Sequence, residues 1–154
     1  MRFFVDTNVI LEKFLSREES AIANLLFIQL QQQKHELFMS VGGFYTIIYV
    51  VDSYLKKELE LFGNDRILVL RGIMSDILQT CQVVEHDNTS LLRGITNIQF
   101  KDIEDGCQYE LAIKADCNYL LTFNPADYPS DNQSTIKVLT PQEYLVQDNG
   151  EATL

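Results

Sequence analysis

FKDIEDGCQYELAIKADCNYLLTFNPAD, residues Phe100 to Asp127, encodes a helix followed by a buried strand, with carboxylates at both ends of the unit. Asp102 is a good helix N-cap. Asp105 falls three residues later, in the first turn, where free amides and the helix dipole favour an anion. The sequence therefore predicts a helix over Ile103–Lys114. Ile103, Cys107, Leu111 and Ala115 recur every fourth position on one face, and Tyr109 and Ala112 widen the stripe. After a turn at Ala115-Asp116-Cys117, the apolar run Tyr119-Leu120-Leu121-Thr122-Phe123 is too short for another helix and is closed by Asn124-Pro125. It reads as a buried parallel strand. Ligands of open α/β sheets sit beyond the carboxyl ends of strands, so Thr122, Asn124 and Asp127 fall where a site is expected.

Working outward, strands and helices alternate along the whole chain. Arg2–Val5 is a short strand ending at Asp6-Thr7-Asn8, where Thr7 or Asn8 can cap a helix to about Leu15. Ala21–Leu30 forms a second helix and Glu36–Met39 a second strand. Ser40 caps a helix over Val41–Lys57, and Gly42-Gly43 in its first turn can permit close packing. A helix over Arg66–Thr80 leads to the strand Cys81–Val84, and Asp87 caps a short helix carrying Leu91, Leu92 and Ile95. Ile136–Leu139 is a last strand, followed by a helix from Pro141 to Val146. This alternation predicts a three-layer α/β sandwich with a mostly parallel sheet. Right-handed crossovers would bring Asp6, Asp105 and Asp127 to one sheet edge. We expect a single domain over residues 1–146 and a loose polar tail over 147–154.

Composition narrows the possible partners. The chain has 154 residues, with 12 basic and 22 acidic side chains and a formal charge of −10. Such a charge repels nucleic acid at long range. A nucleic acid would have to be held through bound metal, through a second protein, or through a local cluster such as Lys56-Lys57 with Arg66 and Arg71; a basic protein partner fits more easily. No apolar run reaches the roughly 18 residues of a membrane span, and Asp6 interrupts the N-terminal apolar stretch, so no membrane partner and a cytoplasmic location are expected. Cys81, Cys107 and Cys117 match no metal or redox spacing and read as buried thiols. His35 and His86 have no catalytic triad logic around them and read as surface residues.

Three short motifs together resemble PIN-domain proteins: Asp6-Thr7-Asn8 after the first strand, Ile103-Glu104-Asp105-Gly106-Cys107-Gln108 opening a late helix, and Leu121-Thr122-Phe123-Asn124-Pro125-Ala126-Asp127-Tyr128 at the fourth strand's end. The resemblance spans nearly the whole chain. It implies a sheet of four or five parallel strands and an acidic cluster holding Mg2+ or Mn2+. It also implies cleavage of single-stranded RNA, as by the small bacterial VapC-type toxins that pair with an antitoxin; a homodimer is compatible with it. By resemblance Asp6 is the main metal ligand, Asp105 the helical aspartate, Asn124 a ligand after the fourth strand, and Asp127 a group acting through water. Asn8 and Thr122 would orient ligands or water. Carboxylates suit this role because they are hard ligands for a cation that neutralises phosphate and activates water.

The sequence also departs from the family pattern. The glutamate that such toxins carry six residues after the serine of the second strand's end is here Thr46, expected to face Asp6. The next acid, Asp52, lies about 120° further round the helix. Two firm carboxylates and a third in Asp127 argue against two tightly held metals. A second reading is therefore a catalytically weakened PIN-like module that binds RNA or protein. A phosphohydrolase on a similar sheet is disfavoured, because Asn8 stands where an Asp-x-Asp pair would need aspartate. Asp102 reads as a cap rather than a ligand.

Overall fold

The computed structural model describes residues 1–129 and 136–151. Strand β1 (Arg2–Val5) leads through helices α1 (Thr7–Leu15) and α2 (Ser20–Gln32) to β2 (Glu36–Ser40). Helices α3 (Val41–Lys57) and α4 (Gly63–Thr80) continue to β3 (Gln82–Val84). Helices α5 (Asn88–Thr96) and α6 (Ile103–Lys114) return the chain to β4 (Tyr119–Leu121). A 3-10 turn at Pro125–Asp127 precedes β5 (Lys137–Leu139) and α7 (Pro141–Glu151). The sheet order is β3-β2-β1-β4-β5 and every pairing is parallel. The predicted α/β sandwich is thus present with five strands.

Strand alternation explains the two cores. Phe3, Val5, Leu37, Met39 and Leu121 point to one face and pack beneath residues of α1, α2, α3, α4 and α7, including Ile10, Phe27, Ile47, Ile77 and Tyr144. Phe4, Phe38 and Leu120 point to the other face, where Leu111 and Ala112 of α6 cover them with Phe100 and Tyr128. Both faces are closed, so the strands read as nearly continuous apolar runs. Each fully buried Phe or Leu contributes about 1.5–3 kcal/mol of transfer free energy.

Helix α6 is set against α5 by the absence of two side chains. A Cβ on Gly94 would lie 2.7 Å from Cys107 Cα, and one on Gly106 would lie 2.7 Å from the Gly94 carbonyl oxygen. Only glycine at both positions permits this approach, and Asp105 sits beside it. On the opposite side of the sheet, a Cβ on Gly43 would meet Thr7 Oγ1 at 2.6 Å, whereas Gly42 faces open space. Close packing therefore accounts for one glycine of that pair.

The predicted caps hold for three helices. The Ser40 hydroxyl accepts from the Gly43 amide at 2.8 Å, Asp102 from Glu104 at 2.7 Å, and Asp87 forms a reciprocal capping box with Ser90. The cap of α1 differs: Asp6, not Thr7 or Asn8, occupies that position, through its backbone. Strand β4 stops at Leu121 rather than Phe123, because the Phe123 amide donates to the Asn8 side chain instead of to a strand. Helix α7 runs past Val146 to Glu151. Gln147 accepts from Lys137 at 2.8 Å, and Asp148 accepts from Gln29 and Gln33, so these polar side chains dock onto β5 and α2 rather than trailing in solvent. Residues 152–154 of the expected tail lie outside the described residues. The three cysteines are free and buried, as expected.

Candidate active site

The site forms at the switch point of the sheet. From β1 the chain moves to β2 on one side, and from β4 it moves to β5 on the other, so the crevice beyond β1 and β4 is left uncovered. Asp6 follows β1, its amide donates to the Leu121 carbonyl at 2.9 Å, and its own carbonyl accepts from Val9 and Ile10 at the start of α1. The backbone is thereby fixed by both a strand and a helix. Its side chain caps nothing and points to Thr122 and Asn8.

A closed hydrogen-bond network holds that carboxylate. Oδ2 of Asp6 accepts from Thr122 Oγ1 at 2.8 Å and from Asn8 Nδ2 at 2.9 Å, and Asn8 Nδ2 also reaches Thr122 Oγ1 at 3.1 Å. The Phe123 amide donates to Asn8 Oδ1 at 3.2 Å, which sets the orientation of the Asn8 amide, and the Asn124 amide donates to Thr122 Oγ1 at 3.1 Å. Asp6 is 6% exposed and Thr122 is fully enclosed. Burial pushes the Asp6 carboxyl above its ordinary range, against the hydrogen bond from Thr122 and the pull of the nearby Thr7 and Asn8 amides and Gln108.

Across the crevice, α6 presents Asp105 from its first turn. A cavity of about 320 Å³ is lined by Asp6, Thr7 and Asn8 from the β1–α1 junction, by Asp102, Glu104, Asp105 and Gln108 from α6, and by Asn124 and Asp127 beyond β4; Leu11 and Arg17 complete the wall. The structure thus brings Asp6, Asn8, Asp105, Asn124 and Asp127 together at one cavity, with Thr122 buried behind Asp6. Burial, then repulsion from Asp6, Asp102 and Asp127, pushes the Asp105 carboxyl up to about 6. The Tyr128 hydroxyl lies 3.4 Å from Asp105 Oδ1, and its own pKa is pushed up by burial and by the neighbouring carboxylates. Asp127 and Asn124 stand exposed at the rim.

The donor set suits a hard divalent cation: it is all oxygen and amide, acidic, and its carboxylates together push the Asp105 carboxyl up. Among the described residues no three acidic, histidine or cysteine side chains are already gathered into a metal cage. The charge for a cation is present, and the ligands stand around a cavity rather than on a point.

Several expectations change here. Thr46, expected to face Asp6, is solvent-exposed and does not line the cavity; α3 approaches the site one turn earlier, where Gly43 packs on Thr7. Asp52 is held by Lys56 and Arg66 at 2.6 Å each and does not substitute for the missing acid. The same ion pairs consume two of the four basic residues expected to form a local cluster. Asp102 caps α6 while also lining the cavity wall. His35 and His86 are half-buried rather than superficial; His35 stacks on Phe3 at 5.1 Å, burial lowers both pKa values, and neither lines the cavity. Gln108, the last residue of the late-helix motif, also lines the cavity, and the signal for it is a polar residue interrupting the apolar stripe between Cys107 and Leu111. Arg17 gave no signal, because its approach to the cavity depends on how the α1–α2 turn folds back.

Comparison with known proteins agrees with this geometry. A family model described as PIN domain matches residues 2–126. Ribonuclease VapC1 of Aquifex aeolicus (strain VF5) is 30% identical over 149 residues, which is 96% of each chain. Among solved structures, VapBC2 from Rickettsia felis bound to a promoter DNA fragment superposes with a TM-score of 0.61 at 14% identity, covering 91% of this chain and 98% of the other. VapBC-1 from nontypeable Haemophilus influenzae gives 0.61 at 12% identity, covering 92% and 99%. At these identities the likeness of the solved structures is one of fold.

Proposed function

The chain belongs to the PIN-domain family, in its VapC-type ribonuclease branch, and from that premise we propose that it is a Mg2+- or Mn2+-dependent ribonuclease acting on single-stranded RNA, the toxin of a toxin–antitoxin pair. The observation that carries this is the pairing of a buried Asp6 with an Asp105 pushed up to about 6 across one cavity. Mutual repulsion between carboxylates is what a divalent cation would relieve. Asp6, Asp105 and Asn124 would hold the ion, with Asp127 acting through water. Such an ion, when bound, neutralises phosphate charge and lowers the pKa of an attacking water.

The remaining work falls to the protein's own groups. Thr122 and Asn8 hold Asp6 Oδ2 on two donors, so the carboxylate does not rotate away when the ligand set changes. Asn8 is itself held by the Phe123 amide, which ties its orientation to the end of β4. Asp127, on the exposed rim, would act through water, as a base toward the attacking molecule. An antitoxin that covers the site would send a basic residue toward Asp6 and Asp105.

Exposure of Thr46, away from the cavity wall, supports a second reading, a PIN-like module that binds RNA or protein with weakened catalysis. One experiment separates the two. Manganese is titrated by calorimetry, and single-stranded RNA cleavage is measured with manganese and with EDTA, for the parent and Asp6→Asn. The ribonuclease reading expects manganese binding and EDTA-sensitive cleavage in the parent and neither in the variant. A folded parent that binds RNA without binding manganese or cleaving would establish the module instead, and cleavage at the parent rate by Asp6→Asn would remove Asp6 from the site. A small basic protein that co-purifies and suppresses cleavage is the expected antitoxin.

A further inference from the structure

Beside the acidic cavity lies a second one, also of about 320 Å³, lined by Arg17, Tyr49, Ser53, Tyr54, Lys57 and Glu58. Arg17 borders both, so the two adjoin at its side chain. Tyr49, Ser53 and Lys57 of α3 line the second cavity at four-residue spacing, on the helix face that also carries Gly43 and Thr46. That face begins where Gly43 packs on Thr7, next to Asp6, and ends at the last residue of the helix.

Of the twelve basic side chains four form ion pairs among the described residues, and the two on this groove belong to the eight that form none. Lys56 and Arg66 are committed to Asp52, Arg2 to Glu36 and Lys114 to Asp87. Arg17 and Lys57 make no ion pair among the described residues, although Arg17 borders a cavity rich in carboxylates. Tyr49, which lines the same groove, is 76% exposed, an aromatic ring left in water. Glu58 is the one acid lining it, beside Lys57 at the end remote from Asp6.

We propose that this groove holds the nucleotide flanking the cleaved bond of a single-stranded RNA. Arg17 binds the phosphate that passes between the two cavities, the Tyr49 ring stacks on the flanking base, and Lys57 meets the next phosphate. Two cations and an exposed aromatic ring in one groove match what a single strand offers, alternating phosphates and base π-faces. A chain of −10 charge cannot gather RNA by its overall field, so affinity must come from such local contacts. The inference rests on the ribonuclease reading and names how that site receives its substrate.

The test is binding of a fluorescent, nuclease-resistant 2′-O-methyl single-stranded RNA in manganese, followed by anisotropy across a salt series, beside cleavage of ordinary RNA. Tyr49→Ala is expected to weaken binding about tenfold and Tyr49→Phe to retain it, since stacking needs the ring and not the hydroxyl. Arg17→Ala and Lys57→Ala should each weaken binding and each lower the slope of log affinity against log salt by about 0.7. All three side chains belong to helix or turn surface, and thermal melting checks that the variants stay folded. If the parent binds and cleaves while Tyr49→Ala and Arg17→Ala bind like the parent, the groove is not the RNA path and the ribonuclease reading stands. If Tyr49→Ala spares RNA binding but abolishes antitoxin binding, the groove is a protein surface and this assignment is overturned. A parent that neither binds nor cleaves RNA would overturn the ribonuclease reading itself, and with it this one.

Discussion

Asp6 and Asp105 are both carboxylates at helix starts, yet their surroundings ask different things of them. Asp6 is buried with two side-chain donors on one oxygen, and Asp105 is half-buried in the field of three other acids. For Asp105 the folded-state pKa of about 6 lies above the ordinary 3.8, so the folded protein holds its proton more tightly than the unfolded chain. Its contribution to stability is complete below about pH 3.8 and is lost as pH rises through about 6. The half-buried histidines act in the opposite sense, because their lowered pKa makes the fold gain stability as pH rises toward 6.5. Comparing melting temperatures of the metal-free parent and Asp105→Asn between pH 4 and 7 isolates the carboxylate: the variant should gain on the parent as pH rises, and a constant difference would show that Asp105 is not perturbed. Asp6→Asn should likewise raise the metal-free melting temperature at pH 7 by a few degrees, since the amide keeps an oxygen for Thr122 and Asn8 without the buried charge. Saturating manganese should reverse that order, because only the parent gains the binding free energy, about 2.7 kcal/mol at a hundredfold excess over Kd.

Helix α6 carries one wall of the candidate site and is seated on α5 by close glycine packing, with Lys114 paired to Asp87 at its far end. With Gly94 against Cys107 and Gly106 against the Gly94 carbonyl, an added methyl on either side must push the helices apart. Gly94→Ala and Gly106→Ala should each destabilise the protein by about 1–3 kcal/mol despite alanine's better helix propensity. In a domain of this size that lowers the melting temperature by about 2–4 °C per kcal/mol. Because Asp105 neighbours Gly106, the Gly106 variant should also lose manganese affinity, while Gly42→Ala, which faces open space, should leave both properties intact. Equal effects at positions 42 and 106 would contradict this account of how α6 is seated. Much of this element was readable in the sequence: the N-cap, the first-turn acid and the apolar stripe all follow local rules. The glycine contact was not, since it joins residues 94 and 106 on two helices.

For the whole molecule the governing quantity is the charge of −10, and five of the acidic side chains face one cavity at the edge of the sheet. A basic protein partner should be steered to that edge, and its association rate should fall about tenfold or more from low to high salt. Stopped-flow association at several salt concentrations measures this, and a rate indifferent to salt would indicate an interface built on apolar contacts alone. RNA should behave differently, with affinity that depends on manganese and on Arg17 and Lys57 rather than on the net field. No helix among the described residues is long and apolar enough to cross a membrane.

Read by itself, the amino-acid order determined what depends on near neighbours along the chain. Strand and helix periods gave a parallel α/β sandwich, capping residues marked three helix starts, and the expectation that Asp6, Asp105 and Asp127 meet at one end of the sheet matches the cavity they line. What it left open depended on where elements cross. The order β3-β2-β1-β4-β5, which puts Asp6 beside Thr122, is a choice among crossovers of equal local quality. Thr46 was assigned to the site by counting along α3, but the helix meets the site through Gly43, so position 46 turns outward instead. Arg17 reaches the acidic cavity from the α1–α2 turn, and Gln108 is buried where α6 packs on β2 and β4. Each of these is a distance between residues remote in sequence, set by packing two closed faces around five strands, and no local pattern encodes it.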